Sequence, residues 1–221
     1  MIEPGSFGGG EEVTDDPYHG EGVDPTLKEM LDAAMPLTAE IVKPDSSQGK
    51  AVTMFVKRFG APLNVLYSGC GLQVLRDIFP EADVVYVDPN KRAIEAIRLE
   101  IGPRALAAAL KIEEYDEADR FDLLYLQNSY GPIEEHLKRA KKGGLVFCNN
   151  YFGAPNAEEI ITHGSCTLLA VIERIPDTDG QEHALFTDGL EDYLAPHEHD
   201  EEHNHLPPRK KIAEYYVFRK D

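Results

Sequence analysis

The stretch Asn64-Val65-Leu66-Tyr67-Ser68-Gly69-Cys70-Gly71-Leu72-Gln73 constrains the fold more than any other part of the chain. An apolar run passes straight into Gly-x-Gly, and a helix is predicted to follow over 73–79. Glycines there let the backbone turn sharply and let a ligand lie against the main chain. A helix start would add free N–H groups. Asp88 stands 19 residues after Gly69, at the carboxyl end of the next apolar run. An acid at that place accepts hydrogen bonds from the two hydroxyls of a ribose. Strand, Gly-x-Gly and a spaced acid together point to a nucleoside pocket.

The surrounding pattern supports this placement. Strands predicted at 64–67, 84–88, 121–126 and 145–149 alternate with helices at 73–79, 91–100 and 133–140. Such alternation means βαβ units and a parallel sheet. Between 103 and 119 the alanines favour helix, whereas the order of elements wants a strand near 109–112. A short helix at 157–162 precedes strands at 167–175 and 212–219, with no helical crossover between the two, so they should pair antiparallel at a sheet edge. Upstream, 24–43 reads as helical, with Asp24 as cap and Pro36 as a kink or stop. A second helix over 46–58 carries Asp45 and Gln48 in capping-box spacing. The fold class expected is α/β: a Rossmann-like, doubly wound, mostly parallel seven-stranded sheet with an antiparallel C-terminal edge strand. Three regions follow: a Gly-rich acidic arm at 1–26, a helical pair at 27–60, and the α/β domain at 61–221 with an acidic insertion at 177–208. The arm has too few large apolar residues to offset its ordering entropy, and the other reading is a lid over a pocket.

Charge narrows the partners. The 221 residues carry a net charge of −18. Residues 1–26 hold seven acids and no base, and 177–205 hold ten acids and no base, so the remaining chain sets 23 acids against all 22 bases. Without clustered positive charge, neither nucleic acid nor an anionic membrane is an expected partner. No apolar run approaches the roughly 18 residues of a membrane span, and the start of the chain lacks the basic and apolar regions of a secretory signal. A cytoplasmic location is expected. Cys70, Cys148 and Cys166 are too few and too widely spaced for a disulfide framework or a zinc knuckle.

At Gly69-Cys70-Gly71 and Asp88 the chain resembles the class I S-adenosylmethionine-dependent methyltransferases. The likeness covers about residues 60–175 and 212–219. Phe121-Asp122-Leu123-Leu124-Tyr125 is similar to the family's fourth strand with its entering Asp. Lys142-Gly143-Gly144-Leu145-Val146 is similar to the Gly-Gly turn before its fifth strand. Two positions depart from the family pattern. The acid that usually ends the first strand is Tyr67, and the third glycine is Gln73. A dinucleotide fingerprint would need glycine at Val74. The Ser129-Tyr130-Gly131-Pro132 turn loosely resembles spermidine synthases, but their catalytic Asp is absent from the Gln127-Asn128 region.

The resemblance implies S-adenosylmethionine as cofactor and methyl transfer to a small molecule. Tyr67, Gly69, Cys70, Gly71 and Asp88 would bind the cofactor, with Glu113, Glu114 or Asp116 at the adenine edge. Asn128, Tyr130 and Asn149 would face the substrate, although Asn and Ser also serve simply as turn formers. The alternative is a non-catalytic methyltransferase-like module for binding or for metal handling. The tract from His197 to His205 packs four histidines and four acids into nine residues. It is expected to take zinc or nickel only incidentally, and it could also act as a pH-sensitive flap. No residue is assigned as a dedicated metal ligand.

Overall fold

The computed structural model describes residues 36–102, 106–127, 129–149, 157–174, 182–186 and 215–221. In chain order these form β1 (Glu40–Ile41), α1 (Ser47–Phe59), β2 (Asn64–Ser68), β3 (Gln73–Val74), β4 (Asp83–Val87), α2 (Lys91–Ile101) and β5 (Leu106–Ala108). A single 3-10 turn (Ile112–Glu114), β6 (Phe121–Leu126), α3 (Ile133–Leu137), β7 (Ala140–Asn149), α4 (Ala157–His163), β8 (Cys166–Arg174), β9 (Glu182–Phe186) and β10 (Tyr215–Lys220) follow. Among the described residues the main sheet runs β5-β4-β2-β6-β7-β10-β8-β9, and β1 and β3 make a separate parallel pair. The order steps outward from β2 to β5, then returns to β6 on the other side of β2. That reversal is the topological switch point at which open α/β sheets bind ligands.

Both faces of the sheet are covered. On one face Ala51, Val52 and Phe55 of α1 and Ile94 and Ile97 of α2 pack on Val65, Tyr67, Tyr86, Tyr125 and Phe147. On the other, Ile133 and Leu137 of α3 and Ile160 of α4 pack on Leu66, Leu124, Val146, Cys148, Tyr216 and Phe218. Tyr86, Tyr67, Tyr125 and Phe147 are register partners across β4, β2, β6 and β7. Tyr67 meets Tyr125 edge-on at 4.9 Å, and Tyr125 stacks on Phe147 at 5.2 Å. Such cross-strand aromatic pairs fix register as well as contributing burial. The Asp that enters β6 has a structural task. Asp122 accepts from the Asn64 backbone N–H (2.9 Å), Asn64 Nδ2 (3.1 Å) and Lys141 Nζ (2.8 Å), tying the starts of β2, β6 and β7. Burial alone would raise its pKa, but the Lys141 and Asn64 bonds outweigh that and lower it.

The α/β class and the mostly parallel sheet agree with expectation, and the antiparallel edge is present. The C-terminal strand itself lies two places in from that edge, between β7 and β8, and β9 from inside the acidic insertion takes the edge. The reason is in β10: Tyr215, Tyr216, Val217 and Phe218 are all buried, as suits a strand covered on both faces.

Four local expectations need correction. The helix expected at 73–79 is absent. Gln73 and Val74 pair instead with Glu40 and Ile41, and the Leu75 N–H is taken by the Tyr86 hydroxyl at 3.0 Å. Pro80 follows, so only one turn closes, from the Phe79 N–H to the Leu75 carbonyl. Of the helix expected over 24–43, the described part, 36–43, is not helical and holds β1, and 24–35 lie outside the described residues. The strand expected at 109–112 lies earlier, at Leu106–Ala108, paired with Val85–Val87. The second helix is present, but its cap is Ser46 rather than Asp45. The Ser46 hydroxyl accepts from the Gly49 N–H at 3.0 Å, and Gln48 turns to the top of the sheet.

Candidate functional site: a cleft at the switch point

The carboxyl ends of the central strands are stitched together in steps. The Gly69 N–H donates to the Val87 carbonyl at 2.9 Å, and the Asp88 N–H to the Ala108 carbonyl at 3.2 Å. The buried Ser129 hydroxyl donates to the Ser68 carbonyl at 2.7 Å, which joins the loop after β6 to the end of β2. These ties leave a cleft of about 250 Å³ beside the switch point. Ser68, Gly69, Val87 and Pro89 form one side of it. Leu110–Glu113 and Tyr130–Gly131 form the other.

Glycine is required where those last two segments meet. Gly131 has φ +102°, and a Cβ there would lie 2.7 Å from Ile112 Cγ2 and 3.5 Å from both Glu113 carboxylate oxygens. One short stretch behind the cleft anchors both segments. His136 Nε2 bonds the Tyr130 carbonyl at 3.1 Å, and Arg139 donates to the Ile112 carbonyl at 3.2 Å. His136 Nδ1 and Arg139 Nε are buried without a hydrogen-bond partner among the described residues. Burial pushes the His136 pKa down to about 4, so the imidazole is neutral near neutral pH.

Asp88, 7% exposed, sits just past the end of β4. One carboxylate oxygen accepts from the Gly71 N–H at 2.9 Å, the other from the Asn90 N–H at 2.8 Å. An ionised carboxylate offers about four lone-pair sites, so each oxygen keeps capacity for a ligand hydroxyl. Gly69 and Gly71 have positive φ of 69° and 53°, as the turn requires.

The other sequence-predicted residues lie as follows. Gly69, Glu113 and Tyr130 line the cleft, Tyr130 at 70% exposure on its rim. Cys70 is buried in the core, and burial raises its thiol pKa strongly, which leaves it an unreactive thiol. Asn149 is buried at the end of β7, two strands from β2. Asn128 and the tract 197–205 lie outside the described residues. Among the described residues no cluster of His, Cys, Asp and Glu could hold a metal, and no helix is long and apolar enough to cross a membrane. Sequence reasoning missed Lys111 and Ile112 in the lining because the preceding strand was placed three residues late. It also missed His136 and Arg139, for which a lone His-x-x-Arg carries no sequence signal.

A second group of polar side chains lies on the α1 side of the sheet, toward the carboxyl ends of β2 and β6. Gln48 Nε2 donates toward the Tyr125 hydroxyl (2.9 Å), Gln73 Oε1 (3.2 Å) and, in a very short contact, Gln127 Oε1. The Tyr67 hydroxyl donates to Gln73 Oε1 at 2.5 Å. Burial raises the pKa of both phenols, so they stay protonated and neutral.

No family model and no curated protein matches this sequence. Solved structures do. The crystal structure of the N-methyltransferase NodS from Bradyrhizobium japonicum WM9 matches with TM-score 0.50 at 18% identity, over 80% of this chain and 98% of that one. The same protein in complex with S-adenosyl-L-homocysteine gives 0.49 at 16%, over 94% and 93%. The precorrin-6y C5,15-methyltransferase from Geobacter metallireducens GS-15 gives 0.44 at 16%, over 84% and 94%. At such identities the first of these similarities speaks to the fold alone.

Proposed function

We propose that the chain is an S-adenosylmethionine-dependent methyltransferase acting on a small molecule. The observation that carries the reading is Asp88: a buried carboxylate at the end of the second strand from the switch point, beside a Gly-x-Gly turn and a cleft. The likeness in fold to the N-methyltransferase NodS supports it. These residues fit the adenosine part of the cofactor. Asp88 would accept the ribose hydroxyls, and Gly69 lets the ligand lie close to backbone. Leu110, Ile112 and Val87 give the base an apolar surface, and Glu113 gives its amino edge an acceptor.

When bound, S-adenosylmethionine supplies an electrophilic methyl group, so the protein's work is alignment and exclusion of water rather than covalent catalysis. Tyr130 on the rim, Asn149 at the end of β7 and Asn128, which lies outside the described residues, are the residues we assign to the acceptor. His136 stays neutral and fixes the Tyr130 carbonyl, and so shapes the rim. Neither nucleic acid nor membrane is proposed as a partner. Any zinc or nickel at His197–His205 is proposed as incidental.

The test is incubation with S-adenosylmethionine and a panel of small amines, phenols and carboxylic acids, with S-adenosylhomocysteine read by mass spectrometry. The reading expects acceptor-dependent formation in the wild type and loss in Asp88→Asn. Folded protein that forms none across the panel would favour the second reading, a binding module without catalysis. The absence of a helix after the glycine turn is the observation that favours that second reading.

A further inference from the structure

We infer that this cleft recognises the nucleoside alone, and that the amino-acid tail of an S-adenosyl ligand adds little to binding. The inference rests on the reading of the cleft as a nucleoside site. A ligand with its base at Leu110 and Ile112 and its ribose at Asp88 sends its 5′ substituent across Gly69 toward the end of β6. On the α1 side of those strand ends the described residues present Gln48, Tyr67, Gln73, Tyr125 and Gln127.

An amino-acid tail is a zwitterion. Taking it out of water needs a charge or a full set of bonds for each end. These five side chains carry no charge, and burial keeps both phenols from ionising. They are also already engaged with one another. Gln48 Nε2 has two hydrogens and three oxygens around it, and Gln73 Oε1 takes the Tyr67 hydroxyl as well. Four segments hold the group in place: α1, β2, β3 and the end of β6. Gln73 is further pinned by the pairing of β3 with β1. Opening this group for a tail would forfeit bonds that a zwitterion cannot replace with charge.

The experiment is calorimetric titration of the full chain with adenosine, 5′-methylthioadenosine and S-adenosylhomocysteine, beside the transfer assay above. The three dissociation constants are expected within about tenfold of one another. Gln73→Glu, which supplies a carboxylate for the ammonium, should tighten S-adenosylhomocysteine about tenfold and leave adenosine unchanged. S-adenosylhomocysteine binding about 100-fold tighter than adenosine in the wild type would overturn the inference while leaving the methyltransferase reading intact. Binding by none of the three would overturn both. Equal affinities without methyl transfer to any acceptor would uphold the inference and contradict the function.

Discussion

Asp88 does two things at once, and its substitution separates this site from a simple surface acid. Its oxygens hold the Gly71 and Asn90 N–H groups. Asp88→Asn is therefore expected to cost about 1–3 kcal/mol of stability, read by urea unfolding, in addition to weakening nucleoside binding about 10- to 100-fold. Unchanged stability would mean that those two bonds are not made. His136 gives a prediction in pH. Its folded pKa of about 4 lies below the 6.5 of a free histidine. The unfolded chain thus binds a proton that the folded chain refuses, and stability present above pH 6.5 falls as pH drops toward 4. The single group accounts for about 3 kcal/mol over that window. His136→Gln should flatten the fall relative to wild type, and parallel slopes in the two proteins would contradict the assignment.

Among the elements, α1 matters most to the site, because its first turn carries Gln48 to the top of the sheet. Ser46→Ala removes its cap and should cost about 1 kcal/mol. Gly49→Ala should cost more, about 1–3 kcal/mol, because a Cβ there would lie 2.0 Å from the Lys43 carbonyl oxygen. Denaturant midpoints of the two variants check the order, and a silent Gly49→Ala would show that the helix start packs differently. Local patterns foretold most elements at this scale. The runs at β2, β4 and β6 read as strands because each is a short apolar stretch bounded by turn residues. The segment after Gly71 did not, because a helix and a short strand share the same apolar residues there. What decides between them is a distant partner, the Tyr86 hydroxyl on Leu75 and β1 alongside Gln73. Tyr67 was legible as a departure from a family pattern, but not as a member of an aromatic row crossing four strands, since that row exists only once register is set.

For the whole molecule, the switch point and the charge distribution together set what can bind. The parallel sheet was legible in the alternation of strands and helices, whereas its strand order, which places the cleft, depends on long-range pairing that no local pattern carries. The seven acids of 1–26 and the ten of 177–205 belong to a chain that is otherwise nearly balanced. A polyanion would meet net repulsion, so duplex DNA should show no salt-dependent retention even at low ionic strength. Retention that weakens with salt would contradict the small-molecule assignment.

The central claim is that a nucleoside cofactor sits at Asp88. Calorimetric titration of S-adenosylhomocysteine into the wild type and Asp88→Asn tests it most directly. The account expects a wild-type dissociation constant near 1 μM, about −8 kcal/mol, weakened about 10- to 100-fold in the variant. No heat at millimolar ligand, or equal affinity in the two proteins, would contradict it.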